Sequence, residues 1–293
     1  MRGSVREGYS PRKEAIKLNL FSKGMEWLEY DAFTDIVLAT GCQGIDITVR
    51  EGGYVLPENV ERDLPKLVEM AHKKGLKTPM MVTSIVSASD PLTERVLKTA
   101  AQLGLTHYRM GYFRYDPKRD MKTYFQECAT NLQRLADLNQ RHGIQAGYQN
   151  HHGAYLGAPV LDIWQLLGRV DQRAVSFQYD IAHAQVEGVF SWPIALQLVK
   201  DRIGSLALKD YQWEIANRKL RVNPVPIGEG GVDFGAFFKM VQAEKIQAPF
   251  TVHIEYPTLT DTDKKLSISQ KMNKLVPIIK RDADTILGIW QNA

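Results

Sequence analysis

The chain has 293 residues, of which 44% are hydrophobic and 24% are charged. This composition is ordinary for a folded globular protein and excludes a largely disordered chain. Lysine and arginine number 37 against 33 acidic residues, and both signs are spread along the sequence. Such scattered charge argues against a nucleic-acid partner, which needs concentrated positive charge. Two cysteines, Cys42 and Cys128, are too few for a disulfide framework or a cysteine metal site.

No apolar run approaches the roughly 20 residues that a membrane-spanning helix requires, so we expect no membrane partner. Residues 1–14 are polar and predict an N-terminal extension to a single domain that spans residues 1–293. This segment has no apolar signal core, which predicts a cytoplasmic protein. A leader removed ahead of residue 1 would instead indicate the periplasm.

Short apolar runs recur at intervals of about thirty residues, and segments with helical periodicity separate them. This alternation is typical of repeated βα units. The predicted strands are Ile16–Leu20, Gly44–Val49, Thr78–Val82, His107–Met110, Ile144–Gln149, Val175–Asp180, Ser205–Lys209 and Phe250–Glu255. Eight parallel strands with outer helices predict an α/β protein of the (β/α)8 TIM barrel class rather than an open doubly wound sheet.

Turn-forming residues agree with this division. Asp90 followed by Pro91 predicts the start of a helix, and glycines 75, 104 and 143 predict helix ends. The sequence has no G-x-G-x-x-G segment after a strand, so we expect no nucleotide cofactor. The glycine cluster at 228–231 is interpreted as a turn that follows a long loop and precedes a helix capped near Asp233.

Polar side chains crowd the predicted strand ends, where (β/α)8 barrels carry their active sites. Because side chains alternate along a strand, Asp180, Lys209 and Glu255 are predicted to converge with Gln149 on one barrel mouth. A single acidic residue at a strand end is more often a helix cap or an ion-pair partner. Four polar strand ends directed at one mouth favour a functional site.

Five segments of the second half carry a resemblance. They are 148–153 (YQNHHG), 179–184 (YDIAHA), 208–210 (LKD), 226–234 (PIGEGGVDF) and 253–256 (HIEY). In this order and spacing they resemble the xylose isomerase-like barrel family, which includes sugar isomerases, ketose epimerases and relatives of endonuclease IV. The resemblance covers about residues 18–287.

The resemblance implies a divalent ion (Mn²⁺, Mg²⁺ or Zn²⁺) held by Glu, Asp, His and Glu at the ends of the last four strands. In this sequence Asp180 and Glu255 match, whereas Gln149 replaces the first Glu and Ala207 replaces the His. A carboxamide cannot take up a proton near neutral pH, and alanine has no ligand atom. These departures predict weakened metal binding and place proton transfer by two glutamates in doubt.

Three arrangements would compensate for the missing groups. An imidazole from His151 or His152 supplies the lost ligand, a hard ion stays on Asp180, Glu255 and the Gln149 amide, or Lys209 replaces the metal as a fixed positive charge. We favour the weakened metal site, with Asp180, Glu255, Gln149 and His152 as its ligand set.

The sequence therefore predicts a carbohydrate isomerase or epimerase that removes a proton next to the carbonyl of a ketose or keto-sugar, with Glu255 as base and Lys209 assisting. The residues predicted to contact the sugar are His183, Arg50, Arg109, His151 and Trp192. Two alternatives stay open: a lyase or hydrolase acting on oxidised glycosides, and a sugar-binding barrel without catalysis. Assembly into a homo-oligomer is also left open.

Overall fold

The computed structural model describes residues 14–293, so most of the predicted N-terminal extension lies outside the described residues. The strands in chain order are β1 (Leu18–Phe21), β2 (Gly44–Val49), β3 (Lys77–Thr83), β4 (His107–Arg109), β5 (Gln145–Gln149), β6 (Val175–Asp180), β7 (Ile203–Leu208), β8 (Asp210–Ala216), β9 (Lys219–Val225) and β10 (Phe250–Val252). Strands β1 to β7 and β10 pair in parallel and close into a barrel, in which β10 lies between β7 and β1. The predicted (β/α)8 class is confirmed.

Helices follow the strands and surround the barrel. They are α1 (Tyr30–Ala39), α2 (Val60–Lys73), α3 (Pro91–Gln102), α4 (Met121–His142), α5 (Val160–Leu167), α6 (Ile181–Glu187), α7 (Trp192–Val199), α8 (Phe234–Ala243) and α9 (Ile268–Asn292). Each packs an apolar stripe on the barrel, as Leu64, Leu67 and Val68 of α2 do. No helix among residues 14–293 is both long and apolar enough to cross a bilayer.

The predicted helix boundaries are confirmed by their caps. The Asp90 side chain accepts a hydrogen bond of 2.8 Å from the Leu92 amide at the start of α3. Gly143 ends α4 in the left-handed conformation, with φ of 66°. Asp233 caps α8 through the amide of Ala236 at 2.8 Å. These local signals position the strand ends that form the barrel mouth.

Some predicted strand bounds differ from the observed ones. The last barrel strand ends at Val252 rather than at Glu255, and β7 ends at Leu208 rather than at Lys209. The final ladder bond there runs from the His253 amide to the Leu208 carbonyl at 2.9 Å. Lys209 and Glu255 thus lie just beyond the last hydrogen-bonded residues of β7 and β10.

The interpretation of the glycine cluster at 228–231 was wrong in one respect. It follows a strand, β9, which pairs with β8 in an antiparallel hairpin outside the barrel. Asn217 and Arg218 form its turn at φ of 51° and 60°, the left-handed values that hairpin turns favour. The hairpin is largely exposed, and the alternation of apolar and polar residues along both of its strands, a pattern typical of strands, was missed.

Candidate active site

A buried ammonium group joins two carboxylates at the barrel mouth. Lys209 follows β7, and its Nζ lies 3.1 Å from Asp180 Oδ2 and 3.0 Å from Glu255 Oε2. Burial opposes the charge of Lys209, but the two carboxylates outweigh it and raise the pKa of this amine. Lys209 is therefore a permanent cation between the ends of β6 and β10.

Asp180 is fixed by its own neighbours. Its Oδ1 accepts the His183 amide at 3.1 Å, which caps α6, and its backbone exchanges two hydrogen bonds with the Asn150 side chain at 2.8 and 2.9 Å. Full burial raises the pKa of Asp180, whereas the charge of Lys209 and the hydrogen bond from the His183 amide favour its ionised form. Asp180 is thus both the helix cap and the ion-pair partner that the sequence offered as alternatives.

Gln149 donates to Asp180 rather than offering it an oxygen. Its Nε2 lies 2.7 Å from Asp180 Oδ2, while its Oε1 accepts hydrogen bonds from the Tyr112 hydroxyl at 2.5 Å and from Arg109 Nη1 at 3.3 Å. Arg109 also contacts Tyr112 and stacks over its ring at 4.8 Å. The amide is thereby oriented from both sides, and a carboxylate in its place would repel Asp180.

Glu255 is the member of the triad that reaches solvent. Its side chain is 18% exposed, against 4% for Lys209 and 0% for Asp180. Its Oε1 also pairs with Lys23 Nζ at 2.7 Å. Burial alone would raise the pKa of Glu255, but Lys209, His253 and Lys23 together lower it well below its usual range. Glu255 is accordingly an ionised carboxylate.

A cleft of about 490 Å³ opens beside Glu255. Lys23, Trp27, Tyr256 and Lys271 are among the residues that line it. The Trp27 indole is 39% exposed and is held by a hydrogen bond of 3.1 Å to the Gly24 carbonyl. The volume falls in the range that small-molecule ligands occupy.

Three histidines form a second group in the mouth. His152 Nδ1 lies 2.6 Å from His183 Nδ1, and the ring of His151 lies 4.0 Å from that of His183. His152 therefore contacts His183 and makes no hydrogen bond or ion pair with either triad carboxylate. Burial lowers the pKa of all three imidazoles, so they are neutral near pH 7.

Several buried polar groups below the triad have no hydrogen-bond partner among the described residues. They include both ring nitrogens of His253, both amide atoms of Gln178 and one carboxylate oxygen of Asp46. The His253 ring packs 4.3 Å from that of Phe21. Buried groups of this kind normally find a hydrogen-bond partner.

Two predicted substrate contacts, Arg50 and Trp192, form no hydrogen bond or ion pair with the triad. The Arg50 guanidinium sits 5.9 Å from the Phe21 ring centre, and burial together with Arg109 lowers its pKa. Trp192 is 5% exposed and packs against Phe237, because it begins α7 with its ring on the barrel side. The structure does not bring Trp192 into the polar cluster.

Sequence reasoning missed three members of this region: Lys23, Trp27 and Tyr112. Lys23 and Trp27 follow β1, whose end carried no acidic or histidine signal. Tyr112 follows β4 among other aromatic residues that pack. His253 was placed by the sequence on the same strand face as Glu255, two residues before it, but was given no role.

The family profile of the xylose isomerase-like TIM barrel matches residues 34–275. The chain belongs to this family. The search of curated proteins finds no match for this xylose isomerase-like barrel.

Solved structures share its fold at low identity. D-psicose 3-epimerase from Clostridium cellulolyticum H10 is 14% identical with a TM-score of 0.71, covering 94% of this chain and 99% of that one. A 3-keto-D-glucoside 4-epimerase from E. coli is 14% identical with a TM-score of 0.66, covering 88% and 98%. A probable 3-DHS dehydratase of petrobactin synthesis from Bacillus anthracis is 15% identical with a TM-score of 0.69, covering 92% and 98%.

The side chains of this xylose isomerase-like barrel do not fit a divalent ion between Asp180 and Glu255. The Lys209 ammonium lies between the two carboxylates, within 3.1 Å of each. Gln149 presents its amide nitrogen there, and Ala207 has no ligand atom. A metal ion at this point would face a cation and an N–H donor. The arrangement therefore favours the predicted alternative in which Lys209 replaces the metal as a fixed positive charge.

Proposed function

We propose that the protein is a carbohydrate isomerase or epimerase that removes a proton from the carbon next to a carbonyl of a ketose or keto-sugar. The observation that carries the proposal is the triad of Asp180, Lys209 and Glu255, with Glu255 alone facing solvent. A solvent-facing carboxylate beside a buried cation suits general-base catalysis, since the base and the positive charge stand next to each other.

Glu255 takes the proton in this proposal. Its two oxygens are engaged by Lys209 and by Lys23, and the Lys23 side chain is 48% exposed. Lys23 is the partner that can leave, because an exposed lysine regains its hydration when it moves. Release of Lys23 raises the pKa of Glu255 and frees Oε1 for the substrate proton.

Lys209 stabilises the charge that then develops on the substrate oxygen. An enolate is an anion, and a preorganised cation in a buried site stabilises it without reorganisation of solvent. Asp180 holds this amine in place, and Asp180 is in turn oriented by Gln149, which Arg109 contacts. No step requires a metal ion.

The cleft beside Glu255 suits a sugar. The half-exposed face of Trp27 can cover sugar C–H groups, as aromatic rings do in carbohydrate sites. Beyond the residues that line this cleft, Arg109 lies close enough to Arg50 to lower its pKa. Two neighbouring guanidinium groups favour a substrate with an acidic or strongly polar end. The epimerases among the structural neighbours are consistent with this substrate class.

The substitution Glu255→Gln tests the proposal. It keeps the size and hydrogen bonding of the side chain but removes the base, so solvent-deuterium incorporation into a keto-sugar should fall about 10²–10⁴-fold. Melting temperature should change little. Glu229→Gln is the matched control, since this acid pairs with Arg281 at 2.9 Å and is no part of the triad. Unchanged exchange in a folded Glu255→Gln variant would refute the assignment.

A second candidate reaction shares the first step. If the carbon beyond the one that loses its proton bears a leaving group, the same enolate expels it, and the enzyme is a lyase or dehydratase. A dehydratase occurs among the structural neighbours. Product analysis separates the two reactions, since only elimination yields an unsaturated sugar.

Tight sugar binding without solvent-deuterium exchange would favour the alternative of a sugar-binding barrel without catalysis.

A further inference from the structure

The histidine group contains a geometry that the proposed reaction does not use. His151, His152 and His183 each present one ring nitrogen, and the three nitrogens all lie within 4.8 Å of one another. Among residues 14–293 no other set of three histidine, cysteine or acidic side chains meets this test. The three come from two elements, the loop after β5 and the first turn of α6.

Hydrogen bonding determines which nitrogens carry lone pairs. His151 Nδ1 lies 2.9 Å from the His152 carbonyl, which can only accept, so Nδ1 carries the proton and Nε2 has the free lone pair. The two Nδ1 atoms of His152 and His183 lie 2.6 Å apart and share a single proton. If the ring that carries this proton instead bears it on Nε2, both rings stay neutral and both Nδ1 lone pairs are free to bind a metal ion.

The remaining nitrogen of His183 supports this assignment. His183 Nε2 is fully buried, has no hydrogen-bond partner, and lies 3.7 Å from Asp180 Oδ2. If Nδ1 bound a metal, Nε2 would carry the proton and point it towards the Asp180 carboxylate. Carboxylate groups commonly orient metal-bound histidines in this way and raise their basicity.

We propose that His151, His152 and His183 bind one divalent ion of the Zn²⁺ or Co²⁺ class, at a point distinct from the carboxylates of the triad. Neutral imidazoles suit such borderline ions, whereas Mg²⁺ and Mn²⁺ favour oxygen ligands. Three nitrogen ligands leave a fourth position open for water or a substrate oxygen.

The site must relax slightly to accept the ion. Tetrahedral ligands at about 2.0–2.1 Å from zinc lie about 3.3 Å apart, so the contact between His152 and His183 has to lengthen by about 0.7 Å. His152 lies in a loop and is partly exposed, which allows this rotation. Lys209 opposes a second cation nearby, whereas Glu187, bonded to the Gly153 amide at 3.0 Å, favours one.

Cobalt titration of the purified, metal-free protein tests the site. One equivalent of Co²⁺ should give the visible absorption bands of a tetrahedral nitrogen site, and Zn²⁺ should abolish them by displacement. His152→Ala and His151→Ala each remove a proposed ligand. Loss of a group that only hydrogen-bonds to a ligand typically weakens metal binding about 10–100-fold, so each of these variants should weaken cobalt binding by more than that. Two variants are used so that misfolding of one does not decide the result.

Two control variants distinguish the alternatives. His142→Ala should bind cobalt normally, because His142 lies on the surface 3.1 Å from Glu94. Glu255→Gln should also bind it normally, since Glu255 belongs to the triad. Absence of cobalt binding, or its loss in Glu255→Gln with retention in His152→Ala, would overturn the proposal. Either result leaves the proposed proton transfer intact, because that reaction uses no metal.

Discussion

At the scale of single residues, the site depends on how charges are matched in a buried place. Gln149 can donate to Asp180 and accept from Tyr112 and Arg109 at the same time, which no carboxylate could do. Lys209 then supplies the only cation that contacts both triad acids from inside the barrel mouth, as far as residues 14–293 show. The replacement of a predicted metal ligand and the buried lysine are therefore consistent with each other.

Removal of this cation should be costly. Lys209→Met leaves Asp180 fully buried without its ionic partner, and breaking a buried pair typically costs about 3–5 kcal/mol of unfolding free energy. Urea unfolding measures the loss, and addition of Asp180→Asn should recover part of it. Lys200→Met, which breaks the more exposed pair with Glu244, should cost far less. Equal losses in the two single variants would contradict the role of burial.

Asp46 links stability to pH inside the barrel. Burial raises its pKa to about 7, opposed by hydrogen bonding to Thr251 and by two arginines. The folded state therefore holds a proton that the unfolded state releases above about pH 4, so unfolding free energy falls as pH rises from about 4 to about 7. Asp46→Asn should remove this loss, worth up to about 4 kcal/mol at pH 8. If the unfolding free energies of the native protein and of Asp46→Asn changed in parallel from pH 4 to pH 8, Asp46 would not be the source of this pH dependence.

At the scale of elements, the sequence predicted the repeated βα units but not the single hairpin of β8 and β9. Apolar periodicity and caps such as Asp90 located the barrel strands and their helices, because each βα unit repeats the same local pattern. The hairpin of β8 and β9 does carry alternating apolar residues, but it lies between two βα units and is not part of their repeat, so it was not recognised. The convergence of Asp180, Lys209 and Glu255 followed from strand alternation. Contacts such as that between Lys23 and Glu255 join residues far apart in sequence, so local patterns cannot predict them.

One carboxylate joins the start of the hairpin to the loop that follows it. Asp210, 1% exposed, accepts backbone amides of Tyr211 at 2.8 Å, Gly228 at 2.9 Å, Gly230 at 3.0 Å and Val232 at 3.1 Å. An amide has one accepting oxygen, so Asp210→Asn leaves buried N–H groups unpaired and should cost about 1–3 kcal/mol. Hydrogen exchange should quicken at residues 228–232.

Asp233→Asn is the matched control for this change. Asp233 caps α8 through one amide, and asparagine is an equally good cap, so the unfolding free energy and the exchange rates should hardly change. If Asp210→Asn were as harmless as Asp233→Asn, the carboxylate would not organise the loop.

At the scale of the whole molecule, the barrel must close between its first and last strands. Strand β1 pairs with β10, and the Asn19 side chain adds a bond of 2.9 Å to the Phe250 carbonyl across this seam. Helix α9 covers the same place from outside, where Trp290 packs 5.8 Å from Phe250. Closure therefore depends on residues from both ends of the described chain.

Trp290 should accordingly affect the stability of the entire barrel. Its ring packs 5.4 Å from Phe238 and 5.8 Å from Phe250, and its Nε1 donates to the Glu14 carbonyl at 3.0 Å. Because the ring is only partly buried, Trp290→Ala should cost about 2–4 kcal/mol, somewhat less than a full core deletion. Loss of the seam should lower the urea midpoint of far-ultraviolet circular dichroism, which reports on all helices. Trp164→Ala removes a tryptophan that is 43% exposed on α5 and should shift the midpoint much less. If Trp290→Ala increased hydrogen exchange only in the last turns of α9, with the midpoint unchanged, the C-terminal helix would be an independent appendage and the seam would close without it.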